Sequence, residues 1–204
     1  LPILGVNPDP KRYDGVLLPI ELRRTRTVLL RTLKDAAKIR DVTMGEVELN
    51  DGQKLLAFND FFIGCRSHVS ARYTLQTEDG CEPQSSSGVI VATGAGSTGW
   101  LSSVFNMARG VTELTGGNTG AAQTMKWEDR RLMWVVREPF SSRYSRATMI
   151  AGMLNEDKRL QVESTMSENG IIFSDGIESD GIDFNSGSIA TVRVAQQRAR
   201  LVVG

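Results

Sequence analysis

Apolar residues in this chain mostly alternate with polar ones or run unbroken for a few positions, and turn residues interrupt them roughly every eight to twelve residues, the spacing of a β-rich domain. Strands are predicted at 43–50, 54–63, 69–77, 88–93, 132–137, 147–153, 159–166, 170–174, 189–194 and 198–203. Asn50-Asp51-Gly52 joins the first two as a hairpin, because Asp-Gly tolerates the positive φ angles of tight turns. Glu78-Asp79-Gly80 reads as a second hairpin turn, between 69–77 and 88–93. So many short strands with short connections predict an antiparallel sandwich rather than a parallel α/β sheet.

Two segments follow the helical period instead. Residues 20–40 place Leu22, Leu29, Leu33, Ala36 and Ala37 on one face, and residues 98–115 do the same with Leu101, Val104, Ala108, Val111 and Thr115. The first is rich in Arg and Lys, which suits a solvated outer face or a surface that meets phosphates or an acidic partner. Gly116-Gly117-Asn118 ends the second, and the chain through Gln123 reads as a surface loop.

The candidate chemistry lies between these elements. The apolar run Val89–Ala92 breaks into a turn with glycines at 94, 96 and 99, and a helix reopens at Ser97 and Thr98. Such a junction lets a ligand approach the main chain and offers free N–H groups to a polar or anionic partner. Its spacing is neither the phosphate-cradling P-loop nor the Gly-x-Gly-x-x-Gly fingerprint, and a tight turn with a Ser cap would look the same. Some thirty residues earlier, Phe58-Asn59-Asp60-Phe61-Phe62 sets an amide that donates and accepts beside a carboxylate that only accepts.

Taken together these segments resemble the NAD kinase family over nearly the whole chain. Gly5-Val6-Asn7 with Gly15 is similar to the strand and loop after that family's first domain, Asn59-Asp60 stands where it carries Asn-Glu, and Gly96-Ser97-Thr98-Gly99-Trp100 matches its Gly-Ser-Thr-Ala-Tyr. Phe173 to Val203 looks like the closing Asp-Gly and final strands, and Ser86-Ser87-Gly88, Trp100 and Arg137-Glu138-Pro139 are similar to the mitochondrial-type branch. The resemblance implies a mostly β, α+β fold with two or three helices, the antiparallel sandwich of the family's C-terminal domain. It also implies an upstream α/β domain with a Gly-Gly-Asp-Gly-Thr motif, whose Asp activates the ribose hydroxyl. No such motif occurs here, so residues 1–204 read as the substrate-binding domain alone, without a catalytic residue of their own.

The implied activity is ATP-dependent phosphorylation of the adenosine ribose 2′-hydroxyl of NAD, with magnesium–ATP held through the other domain. By position, Asn59 and Asp60 inherit contacts to the base and ribose, and Thr98, Gly99, Trp100 and Ser103 those of the adenosine pocket. Ser87 stands where most relatives have an Asp facing the nicotinamide side, which leaves specificity at that end open. Asp60 is one methylene shorter than Glu, and Trp100 adds stacking area while losing a phenolic oxygen. The resemblance further implies a homodimer or homotetramer. Two readings of other classes stay open: a lipid kinase of the diacylglycerol or sphingosine type, and a non-catalytic dinucleotide-binding protein.

Composition narrows the partners. Lys and Arg total 24 against 24 Asp and Glu, and this balance argues against a nucleic-acid surface or a polybasic membrane anchor. No apolar run nears the roughly 18 residues of a membrane span, and no signal peptide is visible. The expectation is an intracellular protein, cytoplasmic or, in a eukaryote, of the mitochondrial matrix, with Cys65 and Cys81 as free thiols. The single histidine, His68, has no triad partner, Cys65, His68 and Cys81 lack zinc spacing, and the acidic run Asp175–Asp183 reads as a turn between strands.

Overall fold

The computed structural model describes residues 1–118, 120 and 124–204, so the loop expected through Gln123 lies partly outside the described residues. Two compact units emerge, Leu1–Val42 with Gln197–Gly204 and Thr43–Gln196. In chain order the strands are β1 (Pro2–Ile3), β2 (Val6–Asn7), β3 (Ile20–Glu21), β4 (Ile39–Leu49), β5 (Lys54–Ala57), β6 (Asp60–Cys65), β7 (Ala71–Thr77), β8 (Gly80–Ser86) and β9 (Val89–Ala92). They continue as β10 (Leu132–Val136), β11 (Ala151–Leu154), β12 (Leu160–Ser164), β13 (Gly170–Ser174), β14 (Ile177–Asp183) and β15 (Ile189–Val202). The helices are α1 (Thr25–Leu33) and α2 (Trp100–Leu114), with 3-10 turns at Leu22–Arg24 and Gly96–Thr98.

In the smaller unit, β1 pairs in parallel with the end of β15, and β2 with β3. Its core is Ile20, Val28 and Val202, with Leu4 and Ala37 packed against them. The helix predicted over 20–40 is therefore shorter than its apolar pattern suggested, and the buried residue is Val28. Leu22, Leu29 and Leu33 stay exposed because the helix side that meets Ile20 and Val202 runs through Val28.

The larger unit is the predicted antiparallel sandwich. One sheet runs β5-β4-β15-β12-β7-β8, the other β11-β10-β9-β6-β13-β14. Their facing sides supply one core: Val47, Tyr73, Leu75 and Val162 from the first sheet, and Phe61, Ile63, Val89 and Trp134 from the second, are all buried. The second sheet also buries its outer face. There Ile90, Ala92 and Met133 pack with Leu101 of α2, with Trp100, Val104 and Phe105 alongside.

Five expectations about the strands change. The run 54–63 divides at Phe58-Asn59, so that β5 belongs to one sheet and β6 to the other. The runs 189–194 and 198–203 form the single strand β15, and 147–153 narrows to β11. The second hairpin joins β7 to β8, not to 88–93, with Thr77 opposite Gly80 and Gln76 opposite Cys81. β8 carries no apolar alternation because its inward residues are Glu82, Gln84 and Ser86, all buried. Thr148 and Met149 N–H groups donate to the Glu82 carboxylate, and Tyr73 bonds Ser86 at 2.6 Å. β8 ends its sheet, and at an edge Pro83 need cost no ladder bond. The acidic run is likewise more than a turn: Asp175-Gly176 turns, and Ile177–Asp183 forms the edge strand β14, whose exposed, charged residues conceal its strand character.

Candidate functional site

The crossing between sheets fixes Phe58-Asn59-Asp60 at a corner of the sandwich, held from two sides. On one side is Asp175, at the β13–β14 turn with φ of 54°, a left-handed conformation that Asp accepts more readily than most residues. Its carboxylate accepts the N–H groups of Phe58 at 3.0 Å, Asn59 at 2.6 Å and Asp60 at 3.3 Å. The Asp175 N–H donates back to the Asp60 carbonyl at 2.9 Å.

On the other side is the Gly-rich turn. The Thr93 N–H donates to the Asn59 carbonyl at 2.8 Å, and the Thr93 hydroxyl donates to the Phe58 carbonyl at 2.6 Å. The Gly96 N–H donates to that hydroxyl at 3.2 Å. A Cβ on Gly96 would lie 2.1 Å from the Asn59 carbonyl oxygen, so glycine is required for this approach. The turn and the Asn-Asp segment are thus one interlocked structure.

What they hold is a pair of underused acceptors. Asn59 Oδ1 is buried without a hydrogen-bond partner, and the Asp60 carboxyl accepts no hydrogen bond among the described residues although Asp60 is 7% exposed. Burial, and then the neighbouring Asp175 charge, push the Asp60 carboxyl up from 3.8 to about 6. A buried acceptor without a donor costs folding free energy, and sites that do this are candidates for binding a donor from outside.

On β6 the side chains alternate, so Asp60 and Phe62 share the outer face while Phe61 and Ile63 enter the core. Phe62 stacks on Trp100 with centroids 5.6 Å apart and 13° between planes, and Phe173 completes the cluster at 5.1 Å from Phe62 and 6.4 Å from Trp100. These aromatics floor a cavity of about 570 Å³ whose walls include Ser87, Arg66 and Arg137. The Arg137 guanidinium sits 5.3 Å from the Trp100 ring centre. Its backbone pairs with the preceding loop, through Arg137 N–H to the Gly88 carbonyl at 2.8 Å and Ser87 N–H to the Arg137 carbonyl at 2.9 Å.

The predicted residues therefore fall into neighbouring groups. Asn59 and Asp60 form the corner, while Ser87 and Trp100 line the cavity. Thr98 and Gly99 are exposed where the 3-10 turn runs into α2, and Ser103 is exposed one helical turn beyond Trp100. Trp100 is half-buried, anchored on Phe62 and Phe173 as well as facing the cavity. Asp175, Thr93 and the Arg137 guanidinium join the site only in three dimensions; the Asp-Gly turn is visible in the sequence, its contact to Asn59 is not. Cys65 and Cys81 are free thiols. Among the described residues, no three His, Cys, Asp or Glu side chains come together as a metal site, and the Asp175 carboxylate is already engaged by backbone N–H groups. These residues do not fit a magnesium ion held by this chain alone. No described helix is long and apolar enough to cross a membrane.

No protein-family model matches the chain, and no curated protein matches it. Solved structures do. Yeast NADH kinase complexed with NADH superimposes with a TM-score of 0.65 at 18% identity, over 93% of this chain and 51% of that one. An NAD kinase from Archaeoglobus fulgidus in complex with ATP superimposes with a TM-score of 0.67 at 18% identity, over 98% of this chain and 68% of that one. The chain has the fold seen in these kinases and spans about half the length of the yeast protein.

Proposed function

We propose that this chain is the dinucleotide-binding part of an NAD or NADH kinase, which transfers a phosphoryl group from ATP to the 2′-hydroxyl of the adenosine ribose. The observation that carries this reading is the orphaned Asn59 Oδ1 beside the unbonded Asp60 carboxyl, on the fold that the solved NAD(H) kinases share. Asn59 Oδ1 can accept from an exocyclic amine, and ionised Asp60 can accept from a ribose hydroxyl. Asp175 and Thr93 fix the backbone between them, so the two acceptors are aimed before the ligand arrives. Phosphoryl transfer depends chiefly on alignment and charge neutralisation, and this chain supplies the alignment of the acceptor. Thr98, Gly99 and Ser103 are exposed at the start of α2 and are assigned to the adenosine pocket by their resemblance to the family's turn. An acyl-binding lipid kinase fits less well, because Arg66, Arg137, Glu138 and Glu178 line the cavity beside the aromatics.

Calorimetric titration tests the binding half of this reading. NAD or NADH should bind the chain, and Asn59→Ala should weaken that binding by about 1–3 kcal/mol without lowering the melting temperature. Sphingosine or diglyceride binding with no response to either dinucleotide would overturn it. In the whole kinase of which this chain is proposed to be a part, assayed with ATP and magnesium, the Asn59→Ala defect should appear in KM for the dinucleotide and not in KM for ATP.

A further inference from the structure

Arg137 is the less committed of the two arginines that line the cavity. Arg66, on another wall, is committed to Asp183 at 2.8 Å. The Arg137 guanidinium donates no hydrogen bond among the described residues; its one carboxylate neighbour is Glu138, at 3.9 Å, and its side chain is 29% exposed. With its guanidinium carbon 5.3 Å from the Trp100 ring centre, Arg137 is within cation–π reach, a contact that consumes none of its N–H donors. A half-buried guanidinium whose N–H donors make no hydrogen bond and whose ion pair to Glu138 is long suits an anion with oxygens in a plane or fork, and phosphate is the common one. Its position fits the adenosine corner: Asp60 and Phe62 are two residues apart on one face of β6, roughly 7 Å, and Phe62 is the floor beneath Trp100 and Arg137.

We propose that Arg137 is a specificity-determining residue that takes the pyrophosphate of the dinucleotide, with the Trp100 ring beside it as its cation–π partner. The proposal rests on the reading of Asn59 and Asp60 as the adenosine site. It separates ligands by phosphate content: adenosine uses the corner alone, whereas ADP-ribose and the full dinucleotide use the corner and Arg137. The charge on Arg137 and its fork geometry act together, so Lys at this position retains only part of the effect.

The test is titration of adenosine, ADP-ribose and NAD into the chain and into Arg137→Gln, Arg137→Lys and Asn59→Ala, with melting temperatures alongside. Arg137→Gln should keep the wild-type melting temperature, weaken ADP-ribose and NAD about tenfold or more, and leave adenosine unchanged, with Arg137→Lys between. Inorganic pyrophosphate should compete with ADP-ribose in the wild type and lose that ability in Arg137→Gln. Equal weakening of all three ligands, no weakening of any, or pyrophosphate that binds without competing would each overturn the proposal. If Asn59→Ala weakens every ligand while Arg137→Gln weakens none, only the role of Arg137 fails; if neither variant changes binding, the adenosine site fails as well.

Discussion

Replacing Asp60 with Asn removes a charge that the folded chain accommodates poorly, so it should raise stability while damaging binding. A carboxyl moved from 3.8 to about 6 separates its charged and neutral forms by about 3 kcal/mol. Water reaching the corner lowers the realised value, and about 1–3 kcal/mol is the working range. The folded-state value lies above the unfolded one, so this contribution to stability is fully present below about pH 4 and is lost as pH rises through about 6. Asp60→Asn should therefore melt roughly 3–10 °C above wild type at pH 7.5, with the gap closing toward pH 4. Because the Asp60 carboxyl accepts no internal hydrogen bond, the substitution strands no existing donor, and the cost of seating the new amide NH2 lies within the lower part of that range. The same variant should bind NAD at least about tenfold more weakly at pH 7.5, since bonds to an ionised acceptor are worth about 1.5–3 kcal/mol. Scanning calorimetry across pH with parallel titration decides it. A variant that melts below wild type at pH 7.5, or a gap that persists unchanged at pH 4, would refute the electrostatic reasoning.

Three further outcomes follow from the same geometry. Gly96→Ala should lower the melting temperature and NAD affinity together, because its Cβ meets the Asn59 carbonyl, whereas Gly99→Val, whose Cβ finds nothing nearer than 3.5 Å, should fold as wild type and lose affinity alone. Asp175→Ala should cost about 2–4 kcal/mol in denaturant unfolding by stranding the three N–H groups it accepts, and Asp175→Asn should cost less because Asn keeps the left-handed turn. Trp100→Ala should destabilise by about 2–4 kcal/mol through the lost aromatic cluster and also weaken NAD in the surviving folded fraction; unchanged affinity there would remove Trp100 from the site.

The sandwich was legible wherever its strands bury apolar side chains on a regular period. β9, β10 and β13 are nearly continuous apolar runs, and the turn at Asn50-Asp51-Gly52 is set by local chemistry. β8 was hidden because a network of Glu82, Gln84 and Ser86, satisfied by Tyr73, Thr148 and Met149, replaces the apolar face a strand ordinarily shows. β14 was hidden because an edge strand with exposed residues reads like a loop. In α1 the leucines drew the predicted face, while burial went to Val28, a choice made by residues distant in sequence. At the site, Asn59, Asp60, Thr98, Gly99, Trp100, Ser103 and Ser87 were reached through resemblance, whereas Asp175 acts through bonds to residues 116 and 117 positions away, which no local pattern encodes.

The central claim is that the orphaned acceptors at Asn59 and Asp60 receive the adenosine of a dinucleotide. The most direct measurement is an amide chemical-shift titration of the chain with NAD. Saturable shifts are expected at Asn59, Asp60, Asp175 and the Gly94–Trp100 turn, and they should be lost in Asn59→Ala. Shifts that cluster elsewhere, or that persist unchanged in Asn59→Ala, would contradict it.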